Sequence, residues 1–453
     1  MSDTILDSIE KNMDSCYETL FELIRQPSIS SQDIGVTECA ELTRSIMVDH
    51  RLDARLLSTS TYPIVYGEKI VSETAPTVLF YGHYDVQPVD ESAWSSDPFE
   101  PERRGNAIYG RGTGDNKGQF LSHILAVEAV ERELGELPVN VKILLEGEEE
   151  NGSAGLVEFL ETEPELIESD LIYVADGSMH DSGRPTIIYG CRGMLGIEVS
   201  LQTTTSHVHS GNYGGPIPNA ANELVSVIDS LYEEDGTITI PGFYDDITIM
   251  DSQRAITNTI PLSTDSIKEK LGVDSFETAS GNNYYEELLL TPTLNINGIQ
   301  SGYVGEGMKT IIPGKASAKI DIRLLPNQSP DAIYDDIVQY LDELNPEVAI
   351  EKLGSFPPLA EDPGMSAAAA VIDSLEAAWG LDVVEIPMLP GSLPAGYFKS
   401  VTDTPILVIP YANSDQNNHG PDEHIDTQCF KNGIKTSAKF LKEFVAQNEL
   451  KHE

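Results

Sequence analysis

The chain has 453 residues, long enough for two or three domains with separate cores, and its 40% hydrophobic content fits a globular protein rather than a disordered one. With 74 acidic against 28 basic side chains, its formal charge is −46 and its sequence pI near 4.3. Such a surface repels nucleic acid and anionic lipid, which excludes both as partners. The acids are spread along the chain instead of gathered in a tail. Molar salt shortens the screening length to about 3 Å and makes that self-repulsion tolerable, so a high-salt cytoplasm is the expected setting.

The amino-terminal stretch Met1 to Lys11 carries Asp3, Asp7 and Glu10 and lacks the basic and apolar character of a secretion signal. Within residues 4–26, apolar side chains from Ile5 to Ile24 recur at helical spacing up to Pro27. A second helix is expected from Val36 to Asp49. The clearest early strand is Thr77 to Tyr81, running into Gly82-His83-Tyr84-Asp85. A glycine-rich turn, Gly110 to Gly118, then leads into a helix from Gln119 to Leu134.

The apolar run Val139 to Leu145 reads as a buried strand and delivers Glu146, Glu148, Glu149 and Glu150 at its carboxyl end. Ligands bind at that edge of an open α/β sheet. Carboxylates crowded there repel one another unless a cation sits between them. A helix from Ala154 and a strand Leu171 to Ala175, tipped by Asp176, complete a strand–helix rhythm that implies a mainly parallel sheet.

Near residue 192 the pattern changes. Alternating strands (Gly196 to Gln202, Ala316 to Leu324) frame helices at Asn219 to Tyr232 and Pro330 to Leu344. This implies an α+β insertion over 192–357 that divides an α/β catalytic domain into 1–191 and 358–453. The second part should hold a helix Ala367 to Trp379, a strand Pro405 to Pro410, a loop bearing His419, and a helix Cys429 to Gln447. The four cysteines stand singly and read as reduced, buried, small apolar residues. No stretch of about 18 apolar residues is present to span a membrane.

Several strand ends and loops therefore carry acids or imidazoles: His83 and Asp85, Asp115, Glu149 and Glu150, Asp176, and His419. That mixture suits a pair of zinc or manganese ions bridged by one carboxylate, with a free carboxylate left to act as base. A lone histidine is more often structural, and a run of four acids is usually a solvated surface. It is the joint inventory that points to metal.

The ordered motifs His83-x-Asp85, Gly110-Arg111-Gly112-x-x-Asp115-x-Lys117-Gly118, Glu149-Glu150-x-Gly152-Ser153, Asp176 and His419 resemble the dinuclear metallopeptidase family. That family includes carnosine dipeptidases, glutamate carboxypeptidase, aminoacylase and succinyl-diaminopimelate desuccinylase. The resemblance spans nearly the whole chain and is strongest to the dipeptidase branch, with counterparts at Thr186 to Gly193, His209-Ser210-Gly211, Thr310-x-x-Pro313 and Arg323-x-x-Pro326.

It implies two divalent ions, zinc or manganese or else cobalt. His83 and Asp176 would hold one, Glu150 and His419 the other, with Asp115 bridging and standing before a cis peptide at Asn116. Asp85 would orient the His83 ring. Glu149 would be the general base, taking a proton from the water between the ions and handing it to the leaving amine. Glu146 and Glu148 are left as supporting or solvated residues.

The insertion would be a lid and dimerisation domain of a homodimer. His209, preferred over His207 for the Ser-Gly that follows it, would stabilise the oxyanion in the partner's site. Arg323 and Thr310 would bind the substrate carboxylate, with Ser392 a further contact. An ordinary strand salt bridge is the competing reading of Arg323. The branch's Arg-Glu-Gly-Gly-Ser is replaced by Met388-Leu389-Pro390-Gly391-Ser392, which leaves the substrate open.

The implied activity is cleavage, in the cytoplasm, of an amide bond beside a free carboxylate in a small peptide. Deacylation of an N-acyl amino acid is the rival of the same chemistry. The rival of another class is an inactive binding protein on the same scaffold.

Overall fold

The computed structural model describes residues 4–276 and 283–449. Residues 1–3 and 450–453, in the outermost stretches of the two catalytic parts, and 277–282 in the insertion lie outside the described residues. The amino-terminal helix runs Thr4–Arg25 and buries Ile5, Ile9, Met13, Cys16, Leu20, Leu23 and Ile24 along one stripe. The second helix spans Val36–Asp49 as expected.

An eight-stranded sheet forms the centre. Its spatial order is Asp53–Leu57, Ile64–Lys69, Asn140–Glu146, Thr77–His83, Leu171–Val174, Ile406–Val408, Thr186–Ile188 and Val384–Ile386. The four central strands, Asn140–Glu146 to Ile406–Val408, run parallel to one another. Antiparallel pairings flank them, so the sheet is mixed around a parallel heart. Asn140–Glu146 is buried at every position, as a strand covered on both faces must be.

Helices Thr4–Arg25, Val36–Asp49, Lys117–Leu134, Ser366–Trp379 and Thr427–Glu449 pack on one face. Ala154–Thr162 and the short Ala395–Phe398 cover the other. All four cysteines are buried and unpaired.

The insertion contains an antiparallel sheet in the order Thr293–Ser301, Lys315–Leu324, Gly193–Gln202, Val348–Phe356. Gly193–Gln202 alternates buried and half-exposed residues. Leu195, Ile197, Val199 and Leu201 face helices Ala220–Asp229 and Pro330–Leu344. Three short helices, Asp251–Thr257, Thr264–Leu271 and Tyr284–Leu290, were not anticipated. Leu289 and Leu290 of the last pack with Val384, on the edge strand of the large sheet. The insertion thus reaches back over the carboxyl edge of that sheet.

Of the two readings left for Glu146 and Glu148, supporting or solvated, the solvated one fails, since they are 1% and 8% exposed. The strand continues through Glu146, which lies opposite His83 and accepts a 2.5 Å hydrogen bond from the Tyr81 hydroxyl. Burial pushes its carboxyl up to about 8. Glu148 accepts from the amide of Gly155 and so braces the start of the following helix.

Candidate active site

The parallel strands end at one edge, and their following loops converge there. His83 closes the strand Thr77–His83 and is fully buried. Its Nε2 lies 3.1 Å from Asp115 Oδ1 and 3.7 Å from Asp176 Oδ2. His419, in the left-handed backbone region at φ 60°, brings its Nε2 to 3.1 Å from Asp115 Oδ2 and 3.2 Å from Glu150 Oε2. The two oxygens of Asp115 are therefore divided between two three-residue groups, His83–Asp115–Asp176 and Asp115–Glu150–His419. In each group the ligand atoms lie within 4.8 Å of one another. The Asp115–Asn116 peptide is cis.

The electrostatics of this cluster call for positive charge. Burial works against ionising Asp115, yet hydrogen bonds from His419 and His83 hold its carboxyl well below the usual range. His419 is pushed up to about 10 by its bonds to Asp115 and Glu150. His83 is raised despite its burial, through Asp115 and Asp85. Asp176 is pushed up to about 7, chiefly by burial, with repulsion from Asp115 adding to it. Glu149 is raised well above an ordinary carboxyl by burial and by repulsion from Asp176, Glu150 and Asp115, against the opposing pull of His83.

Imidazoles drawn toward the charged form by a ring of acids mark a place where a cation would replace protons. The donor set of two imidazoles and three carboxylates fits a pair of divalent ions.

Asp85 does more than its spacing suggested. It faces His83 Nδ1 with its side chain at 3.3 Å and its carbonyl at 3.1 Å. Its two carboxylate oxygens also accept from the amides of Glu149 and Glu150, at 3.1 and 3.2 Å, and Ser30 Oγ donates to it at 2.6 Å. One buried carboxylate thus sets a candidate ligand ring and the turn carrying the candidate base. Gln87 Nε2 donates to Glu150 Oε2 at 2.8 Å.

The glycine-rich turn is held from the other side by Glu423, which was not singled out from sequence. This buried carboxylate accepts from the amides of Gly112, Gly114 and Asp115 and from Arg111 Nη1 at 2.7 Å. Arg111 Nη2 in turn donates to the carbonyls of His419 and Gly420. A side chain at Gly114 would meet the Gln416 amide, which would have to swing away from the turn. An arginine inside a Gly-x-Gly turn was the available signal that a buried carboxylate had to lie nearby.

Two cavities meet over the cluster, each lined by Glu149, Ser392 and His419. One, of about 880 Å³, runs past Glu150, Met194 and Tyr397. The other, of about 600 Å³, runs past Asp176, His180, Tyr285 and Leu389. Arg323 bonds Asp321 on its own strand at 2.9 Å and also reaches Ser392 Oγ at 3.2 Å, linking the insertion to the cleft wall.

His209 and Thr310 are not brought to the cluster. They are exposed neighbours on the insertion, where His209 pairs with Ile311 and the Thr310 carbonyl accepts from Ser210. Neither lines either cavity. No helix among the described residues is long and apolar enough to cross a membrane.

Residues 79–443 match the model of peptidase family M20/M25/M40. The chain is 31% identical over 397 residues to human Beta-Ala-His dipeptidase, covering 84% of this chain and 77% of that protein. It is 27% identical to the Cys-Gly metallodipeptidase of Schizosaccharomyces pombe over 98% of both. Among solved structures, an M20 family metallo-carboxypeptidase from Sulfolobus solfataricus superposes with a TM-score of 0.89 at 31% identity, covering 95% of this chain and 99% of that one.

Proposed function

The chain belongs to peptidase family M20/M25/M40, and from that premise we propose that it is a dinuclear metal-dependent peptidase. It cleaves the amide bond next to a free carboxylate in a dipeptide or at the carboxyl end of a short peptide. The observation that carries this reading is the division of Asp115 between two imidazole–carboxylate groups, with Glu149 half-buried beside them and belonging to neither.

His83 and Asp176 are assigned to one ion and Glu150 and His419 to the other, with Asp115 shared. Zinc, manganese or cobalt would suit these donors. When bound, such ions supply Lewis-acid polarisation of a carbonyl and acidify water. Glu149 takes the proton of the attacking water and returns it to the departing amine. Asp85 keeps the His83 ring and the Glu149 turn in register throughout. Arg323, already in contact with Ser392, anchors the substrate carboxylate from the 880 Å³ side, since Met194 of that cavity lies opposite Arg323 in the strand register.

His209 and Thr310, exposed and remote within their own chain, are assigned to the site of a partner copy. That makes the functional unit a homodimer, with residues 192–357 as its lid and contact domain between catalytic parts 1–191 and 358–453. The charge of −46 supports a high-salt cytoplasm as its setting.

Deacylation of N-acyl amino acids is a second reading, supported by the apolar Leu389 and Pro390 on the cleft wall. The test is a panel of dipeptides, N-acetyl and N-succinyl amino acids, and carboxyl-amidated dipeptides, each with added zinc, manganese or cobalt. Fastest turnover of dipeptides with free carboxylates is expected. Faster turnover of acyl amino acids would replace the peptidase reading by the deacylase one, and equal turnover of amidated substrates would remove the carboxylate requirement.

A further inference from the structure

The apolar interior of the 600 Å³ cavity has no part in the peptidase assignments above, and the cavity's size falls within the range of a dedicated small-molecule site. Its inner walls are apolar and come from three parts of the chain. Met179 and Ile188 follow the Asp176 strand, Leu389 and Leu393 belong to the segment before Ala395–Phe398, and Tyr285 and Leu289 come from a helix of the insertion. Met179, Ile188, Leu289 and Leu393 are 4%, 1%, 1% and 7% exposed, so this is a packed wall rather than a loose surface.

Tyr285 is held in place by a 3.0 Å hydrogen bond between its hydroxyl and His180 Nε2, joining the insertion to the catalytic part at this wall. Apart from the metal cluster, the charged groups lining the cavity are Asp181 and Lys270, both exposed and opposite in sign. They give no net charge that would hold an ionic side chain. Arg323, the proposed carboxylate anchor, contacts Ser392 on the wall that both cavities share and pairs across the strands with Met194, which lines only the other cavity.

Resting on the hydrolase reading, we infer that this cavity receives the acyl half of the substrate and selects a large apolar or aromatic side chain on the residue that supplies the scissile carbonyl. A charged side chain laid against the apolar walls would lose its hydration without a hydrogen-bond partner on those walls. Each methylene that fits such a pocket is worth about 10- to 200-fold in discrimination.

The experiment holds the carboxylate residue constant as alanine and compares Phe-Ala, Leu-Ala, Gly-Ala and Glu-Ala. The readouts are kcat/KM with the metal-loaded enzyme and Kd by calorimetry on the Glu149→Gln variant. Phe-Ala and Leu-Ala are expected to exceed Gly-Ala and Glu-Ala by at least roughly tenfold in both. Leu389→Asp and Tyr285→Ala, on opposite walls, should each cut the Phe-Ala to Gly-Ala ratio by roughly tenfold, with melting temperature and metal content as folding controls. If Leu389→Asp does not fold, Tyr285→Ala alone decides. Comparable values across the four dipeptides, or a preference for Gly-Ala or Glu-Ala, overturn the inference while leaving the hydrolase intact. Hydrolysis of none of them, nor of any substrate in the wider panel, would instead remove the hydrolase reading.

Discussion

Arg111 and Glu423, 312 residues apart in the chain, form a buried ion pair 2.7 Å long with side chains 2% and 0% exposed. The pair joins the turn that carries Asp115 to the loop that carries His419. Removing one partner strands a charge in the interior, which costs about 3–5 kcal/mol, whereas replacing both by apolar groups of similar volume costs far less. Glu423→Gln or Arg111→Met alone should therefore lower the urea midpoint strongly and reduce the metal retained after dialysis. The double Arg111→Met, Glu423→Leu variant removes the stranded charge but leaves the amides of Gly112, Gly114 and Asp115 without their acceptor, so it should stay well below the parent in stability and should not regain the metal. A single variant with parent-like stability and metal content would show that the pair does not hold the two loops together.

Glu149 is expected to separate chemistry from binding. Glu149→Gln keeps the size of the side chain and removes the proton acceptor, so turnover should fall by about 10²–10⁴-fold. Metal content, measured by atomic emission, should stay that of the parent. Parent-like turnover would mean that another group accepts the proton.

The acids and imidazoles at the sheet edge were legible because each follows a strand or a glycine-rich turn, and parallel strands bring such positions to one edge. Nothing local marked Glu423, whose partners are backbone amides 308 to 311 residues away. Glu146 stayed undivided between a supporting and a solvated acid because its partner, the Tyr81 hydroxyl, stands on the neighbouring strand. The helices between Asp251 and Leu290 are short, and the face they bury is set by the edge strand Val384–Ile386 rather than by their own periodicity. The roles proposed for His209 and Thr310 would need a second chain, which one sequence read alone does not display.

Acid should act on the core through His123. Its ring stacks on Phe80 at 4.1 Å, its Nδ1 meets Ser437, and burial pushes it down to about 3 from an ordinary 6.5. The folded state then binds fewer protons than the unfolded one, so this contribution is fully present above pH 6.5 and is lost as pH falls toward 3. His123→Phe should gain stability relative to the parent by about 1.4 kcal/mol for each pH unit below 6.5. Urea unfolding at pH 7, 6 and 5 measures it, and a constant difference across the three would rule out His123 as the titrating group.

Salt should stabilise the fold as a whole. A charge of −46 repels itself across distances that about 0.1 M salt screens over roughly 10 Å and 1 M over roughly 3 Å. The thermal midpoint is expected to climb steadily between those concentrations of potassium chloride. A flat or falling midpoint would count against adaptation to high salt.

The division of Asp115 between two imidazoles also sets an order of events during synthesis. His83, Asp115, Glu150 and Asp176 all leave the ribosome well before His419, whose carbonyl meets Arg111 308 residues upstream. A nascent chain therefore carries all the residues of the His83–Asp115–Asp176 group before the other group has its imidazole. The turn that sets Asp115 still waits for Glu423, which follows His419, so both halves of the centre are completed by the same closing segment.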